Sequence, residues 1–189
     1  MDILKLIKEV EKDIINWRRD LHQIPEVGLD LPQTSAYVAK QLKEMGIPYK
    51  EKIGISGIVG LIEGGHPGKT IALRADMDAL PIKEETGLPF ASVNGNMHAC
   101  GHDAHTAILL GVAKVLNENK YKLKGNVKLI FQPAEEGPGG AKPMIDDGAL
   151  ENPKVDAVMG LHVGNLTDNS KEGIIMVSYD SMMACLDRF

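Results

Sequence analysis

Met97-His98-Ala99-Cys100-Gly101-His102-Asp103-Ala104-His105 gathers one of the chain's two cysteines, three of its six histidines and a carboxylate into one short stretch. The apolar residues Ile108, Leu109, Val112, Val115 and Leu116 follow at helical spacing, which predicts a helix over 104–118. The cluster therefore occupies a loop and the first turn of that helix. Unpaired N–H groups and the positive end of the dipole favour anionic groups there. A thiolate and an imidazole two residues apart in such a place suit a borderline-soft divalent ion such as zinc.

A chain of 189 residues, 43% apolar and 25% charged, is expected to form a soluble globular unit of one domain, or slightly more, with a substantial core. Aromatic residues make up 4%, too few for base-stacking platforms or a sugar-binding aromatic cleft. The net charge of −5 disfavours a polyanionic partner, so nucleic acid is not expected. Cys100 and Cys185 form no disulfide framework, and a cytoplasmic setting is the expectation. Asp2, Lys5, Lys8, Glu9 and Glu11 interrupt the N-terminal apolar residues, unlike a signal peptide. No apolar run has the length of a membrane span.

Upstream of the cluster, Ile3, Ile7, Val10, Ile14, Trp17 and Leu21 alternate in steps of four and three, the pattern of an amphipathic helix that Pro25 forbids from continuing. A second helix is expected from Thr34, read as its cap, to Met45, with Gly46 as the stop. Ile58–Ile62 and Thr70–Leu73 read as strands, neighbouring and antiparallel across the turn signal Gly64-Gly65-His66-Pro67-Gly68. Residues 82–97 hold no period and read as a surface loop. Further on, a strand is expected at 126–131, a short helix over Pro143–Asp147 ending at Gly148, and buried strands at 155–161 and 173–178. Helices alternating with apolar strands indicate an α/β fold, a mixed sheet flanked by helices.

Two later places strengthen the metal reading. Glu135 and Glu136 lie just past a strand end in the loop Phe131-Gln132-Pro133-Ala134-Glu135-Glu136-Gly137. An isolated Glu pair is ordinarily a solvated turn, but α/β proteins build sites in loops beyond strand ends. If the segment is extended, the two side chains point opposite ways, one to an ion and the other to a water or substrate proton. His162 closes the apolar run Val155–Leu161. A lone histidine there is ordinarily a hydrogen-bonded core residue, yet Asp76, Asp78 and Glu135 also stand at strand ends. Ligand-type residues at several strand ends converge if those strands share a sheet edge.

His98, Cys100, His102 and Asp103, the run Arg74-Ala75-Asp76-Met77-Asp78-Ala79-Leu80-Pro81, the run Gln132-Pro133-Ala134-Glu135-Glu136-Gly137, and Leu161-His162-Val163 together resemble the M20 metallopeptidase family, in its amidohydrolase branch. Leu21-His22-Gln23-Ile24-Pro25-Glu26 fits the same branch, and the resemblance runs through nearly the whole chain in the family's order. It implies a zinc-aminopeptidase-like catalytic domain with two divalent ions (Zn, Mn, Co or Ni), at least one of them held by this chain. It implies Cys100 as the bridging ligand, His102 and His162 completing the first site, and Glu136 as a ligand of the second. Glu135 matches the general base, and Asp78 a carboxylate that orients a catalytic or ligand group. The implied substrate is a small N-acyl amino acid or amide conjugate, with a homo-oligomer possible and no membrane partner.

Remaining residues receive plainer readings. His22 and His66 are expected to face solvent, and His98 and His105 to make outer hydrogen bonds near the site. Asp76 stands where the wider family has a histidine ligand and is expected only to support ligands. Asp103 caps the helix or orients His102, and Arg74 steadies acidic neighbours. Met182 and Met183 are expected in the core, and Cys185 as a buried thiol. Family members are longer: after the segment matching 178–189 they insert a lid or dimerisation domain, then return with the last histidine of the second site. On that reading residues 1–189 are the N-terminal part of the catalytic domain, truncated before the lid and not active alone. The alternatives are a non-catalytic metal-binding relative and a short-peptide carboxypeptidase or dipeptidase.

Overall fold

A computed structural model describes residues 3–164 and 173–177. In chain order it contains α1 (Ile3–His22), α2 (Pro32–Glu44), β1 (Tyr49–Ile53), β2 (Gly57–Glu63), β3 (His66–Asp76), α3 (His102–Glu118), β4 (Lys124–Gln132), α4 (Ala141–Asp146) and β5 (Ala157–Gly160). The strands form one mixed sheet in the order β1-β2-β4-β3-β5. β2 runs antiparallel to both β1 and β4, whereas β3 runs parallel to both β4 and β5.

Strand alternation decides what each sheet face buries. On β4, Val127, Leu129 and Phe131 join a core built with Trp17 and Leu21 of α1, Val38 and Leu42 of α2, and Leu109 and Leu110 of α3. The intervening Ile130 packs on the opposite face with Ala72, Met144 of α4 and Ala149. Lys128 also lies on that second face, buried, and its ammonium donates to the carbonyl oxygens of Ala149 and Glu151. Three helices thus cover one face and α4 the other. Among the described residues no helix is long and apolar enough to cross a membrane.

Several expectations are corrected. β2 and β3 are not neighbours, because β4 lies between them. The glycines that suggested a hairpin serve a close approach instead: a Cβ on Gly64 would lie 2.2 Å from the Gly125 carbonyl oxygen. Gly64 and His66 then donate to the carbonyls of Gly125 and Leu123, guiding the chain past the start of β4. α2 begins at Pro32, whose missing N–H is harmless in a first turn. Its cap is not Thr34; the Glu26 carboxylate accepts the N–H groups of Gln33 (3.1 Å) and Thr34 (2.9 Å). β5 was expected to be buried, yet all four of its residues are exposed, with Met159 at 60%. It is an edge strand, paired among the described residues with β3 alone. Residues 173–177 form no strand; Ser178, Met182, Met183 and Cys185 lie outside the described residues.

α1 crosses α3 at Gly111, where a Cβ would sit 2.4 Å from Cδ1 of Ile14. Overpacking at such a crossing costs about 1–3 kcal/mol. Gly111→Leu is expected to lower stability in urea denaturation by about that much, and Ile14→Ala in the same chain to restore part of it.

Candidate metal centre

Parallel pairing puts the C-terminal ends of β3, β4 and β5 on one sheet edge, and every candidate residue is reached from there or from the start of α3. β3 ends at Asp76 with Asp78 two residues beyond, β4 leads into Glu135 and Glu136, and β5 leads into His162. Gly101 precedes α3 with φ 85°, a left-handed conformation that glycine adopts without strain. That turn presents Cys100 and His102 to the same edge.

Cys100, His102 and His162 bring one donor atom each to within 4.8 Å of one another, and so do His102, Glu135 and Glu136. The Cys100 Sγ lies 3.3 Å from Nε2 of His162. His102 is buried; its Nδ1 donates to the Asp78 carbonyl (2.9 Å), while its Nε2 has no hydrogen-bond partner among the described residues. That nitrogen lies 3.7 Å from an Asp76 oxygen and 3.9 Å from an oxygen of each of Glu135 and Glu136. A buried lone pair facing carboxylates and a thiol fits a cation between them, since unpaired buried polar atoms are costly. Acidity within the cluster agrees. Burial, together with Glu136, Glu135 and Asp76, pushes the Cys100 thiol up to about 12. Burial works against the His102 imidazolium, but Asp78, Asp76 and Glu136 outweigh it and raise the group above its ordinary value. In both cases the surrounding carboxylates act the same way, disfavouring the thiolate and favouring the imidazolium.

Asp78 ties the parts together. Its Oδ1 accepts the Glu135 N–H (2.9 Å) and its Oδ2 the Glu136 N–H (3.0 Å), while its carbonyl orients His102. Ala134, buried and at φ 52°, turns the chain so that both amides face that carboxylate. The Glu135–Glu136 segment is therefore a turn rather than extended, and both side chains approach His102 instead of diverging. Glu135 keeps 44% of its side chain exposed, against 27% for Glu136. Asp76 pairs with Arg74 (2.7 Å) and with Nδ1 of His105 (2.6 Å). Although burial opposes its charge, those partners hold its carboxyl near 2.

His66 is exposed as expected, but His22 is buried. Its Nδ1 lies 2.7 Å from Asp103 and its Nε2 3.0 Å from Glu84, and Arg18 also meets Asp103 at 2.8 Å. These contacts fasten the end of α1, the 82–97 loop and the first turn of α3 to one another. Asp103 thus orients the turn that carries His102 through α1. The sequence offered no sign of this, because Asp103 and Glu84 lie 81 and 62 residues away from His22.

The sequence model of peptidase family M20/M25/M40 matches residues 72–180. The chain is 47% identical to an N-acetyl-L-cysteine deacetylase of Bacillus subtilis, over 100% of the chain and 46% of that protein. It is 42% identical to an N-acyl-L-amino acid amidohydrolase of Geobacillus stearothermophilus, over 100% of the chain and 50% of that protein. The crystal structure of the Bacillus subtilis YXEP protein, a dinuclear metal-binding peptidase, superposes with a TM-score of 0.77 at 44% identity, covering 82% of this chain and 44% of that one. The chain spans about half the length of the curated relatives it matches.

His98 supplies a pH test of this region. It is 5% exposed, and neither ring nitrogen has a hydrogen-bond partner among the described residues. Burial lowers its pKa from 6.5 to about 4, against the pull of Asp103. Between those values the unfolded chain binds a proton at His98 that the folded chain does not. This contribution to stability is present above about 6.5 and is lost as pH falls towards 4, by on the order of 2 kcal/mol. Urea denaturation at pH 7 and 4.5 is expected to show that loss, and His98→Gln to reduce it.

Proposed function

The chain belongs to peptidase family M20/M25/M40, and on that premise we propose that it carries the catalytic face of a metal-dependent amidohydrolase acting on N-acyl amino acids. The observation that carries this reading is the convergence of Cys100, His102 and His162 beside Glu135 and Glu136. Residues 1–189 are, on this proposal, the N-terminal part of the catalytic domain. Cys100, His102 and His162 would hold one divalent ion, and Cys100 and Glu136 would offer ligands to a second.

An ion held there supplies positive charge that acidifies water and polarises a carbonyl oxygen. Glu135, the more exposed carboxylate, takes the proton of the attacking water at one carboxylate oxygen. The water oxygen bonds to the acyl carbon, the C–N bond breaks, and Glu135 returns the proton to the departing amine nitrogen. Asp78 holds Glu135 and Glu136 through their own amides, so the base does not drift during the transfer. The products are a carboxylate and a free amino acid.

The test uses the full reading frame that encodes these residues, loaded with Zn, Mn or Co and supplied with N-acetyl amino acids. Glu135→Gln is expected to keep the bound metal while lowering turnover by roughly 10²–10⁴-fold. Cys100→Ala is expected to lose metal as well as turnover. Hydrolysis at the native rate in Glu135→Gln, or a metal-loaded native protein that cleaves no N-acyl amino acid, would overturn the proposal.

A further inference from the structure

His162 sits on exposed chain beyond the edge strand β5, so its place as a ligand is not set by burial of its own side chain. What holds it is the next peptide. The Val163 N–H donates to Nε2 of His105 at 2.8 Å. Because an N–H can only donate, that Nε2 bears a lone pair, and His105 carries its proton on Nδ1, bonded to Asp76 at 2.6 Å. Asp76 is fixed in turn by Arg74, and its carbonyl by the Thr106 hydroxyl. The Val163 carbonyl accepts from Nδ1 of His162 at 2.7 Å, which leaves Nε2 of His162 as the lone pair facing Cys100. On the other side, Gly101 makes room for the Val163 side chain: a Cβ there would lie 2.7 Å from Cγ2 of Val163.

We propose that His105 is a positioning residue for the metal centre, an Asp76-oriented acceptor that clamps the Val163 amide and thereby sets both the place and the tautomer of His162. This rests on the reading of Cys100, His102 and His162 as one ion's ligands. His105 itself does not bind the ion, since both of its ring nitrogens are engaged. Its ring also stacks on His102 at 5.3 Å and meets His162 edge-on at 4.6 Å, so its shape and its hydrogen bond are separable contributions. His105→Phe keeps a ring and removes the acceptor. His105→Gln gives up the ring and keeps an oxygen able to accept from Val163.

The experiment measures Zn²⁺ affinity by competition with a chromophoric chelator, alongside hydrogen exchange at the Val163 amide in the metal-free chain. His105→Phe is expected to weaken Zn²⁺ binding by 10- to 100-fold and to speed exchange at Val163, and His105→Gln to stay within a few-fold of native in both. Thermal unfolding of the metal-free variants reports the fold separately. If Phe lowers affinity only in proportion to a general loss of structure, with amides throughout α3 exchanging as fast as Val163, the role is merely structural and the proposal fails. Native affinity in a folded His105→Phe chain also overturns it. A native chain that binds no Zn²⁺ would instead overturn the metal reading on which it stands.

Discussion

Parallel pairing of β3 with both β4 and β5 is the constraint on which the site depends. Three strands running the same way must end on the same side, so the residues after each end meet without any long excursion of the chain. β2, antiparallel to β4, sends its own end to the opposite side and adds only sheet and core. The helix after β3 then returns over one face, and its first turn lands at the edge where the strands stop. A reversal of β5 alone would remove His162 from the other donors while leaving most of the core intact.

That edge concentrates charge in a way the packing must answer. Asp76 and Asp78 are both almost wholly buried, and each is satisfied differently. Asp76 is neutralised by Arg74 and held by His105, whereas Asp78 faces two backbone amides, dipoles that cannot be titrated away. Close to Asp76 lies Nε2 of His102, which has no hydrogen-bond partner among the described residues, and nearby the Cys100 thiol faces Nε2 of His162. A cation there turns mutual repulsion into attraction, and the carboxylates then support the ion instead of opposing one another.

Much of this was legible because it is local. The spacing of Ile3 to Leu21 yields α1, and the run from Ile108 to Leu116 yields α3, since helical period depends on neighbours three and four residues away. Donors grouped around Cys100 and after three strand ends could be listed from residue type and position alone. What could not be read depends on partners far along the chain. Gly64 and Gly65 look the same whether they turn a hairpin or let two backbones touch, and only the arrival of β4 decides. His22 reads as a solvent-facing residue until Asp103 and Glu84 close around it. His105 resembled another neighbour of the cluster, and its bond to Val163 spans 58 residues. Burial of β5 was misjudged because apolar composition reports a preference for contact, not the place of a strand in the sheet order.

On the proposed reading, one sulfur and two imidazoles share a single ion. X-ray absorption at the zinc edge of the Zn-loaded protein measures this directly. A sulfur scatterer at about 2.3 Å with nitrogen ligands at about 2.0–2.1 Å is expected, with loss of the sulfur shell in Cys100→Ala. A tightly bound zinc with only nitrogen and oxygen neighbours in the native protein would contradict it.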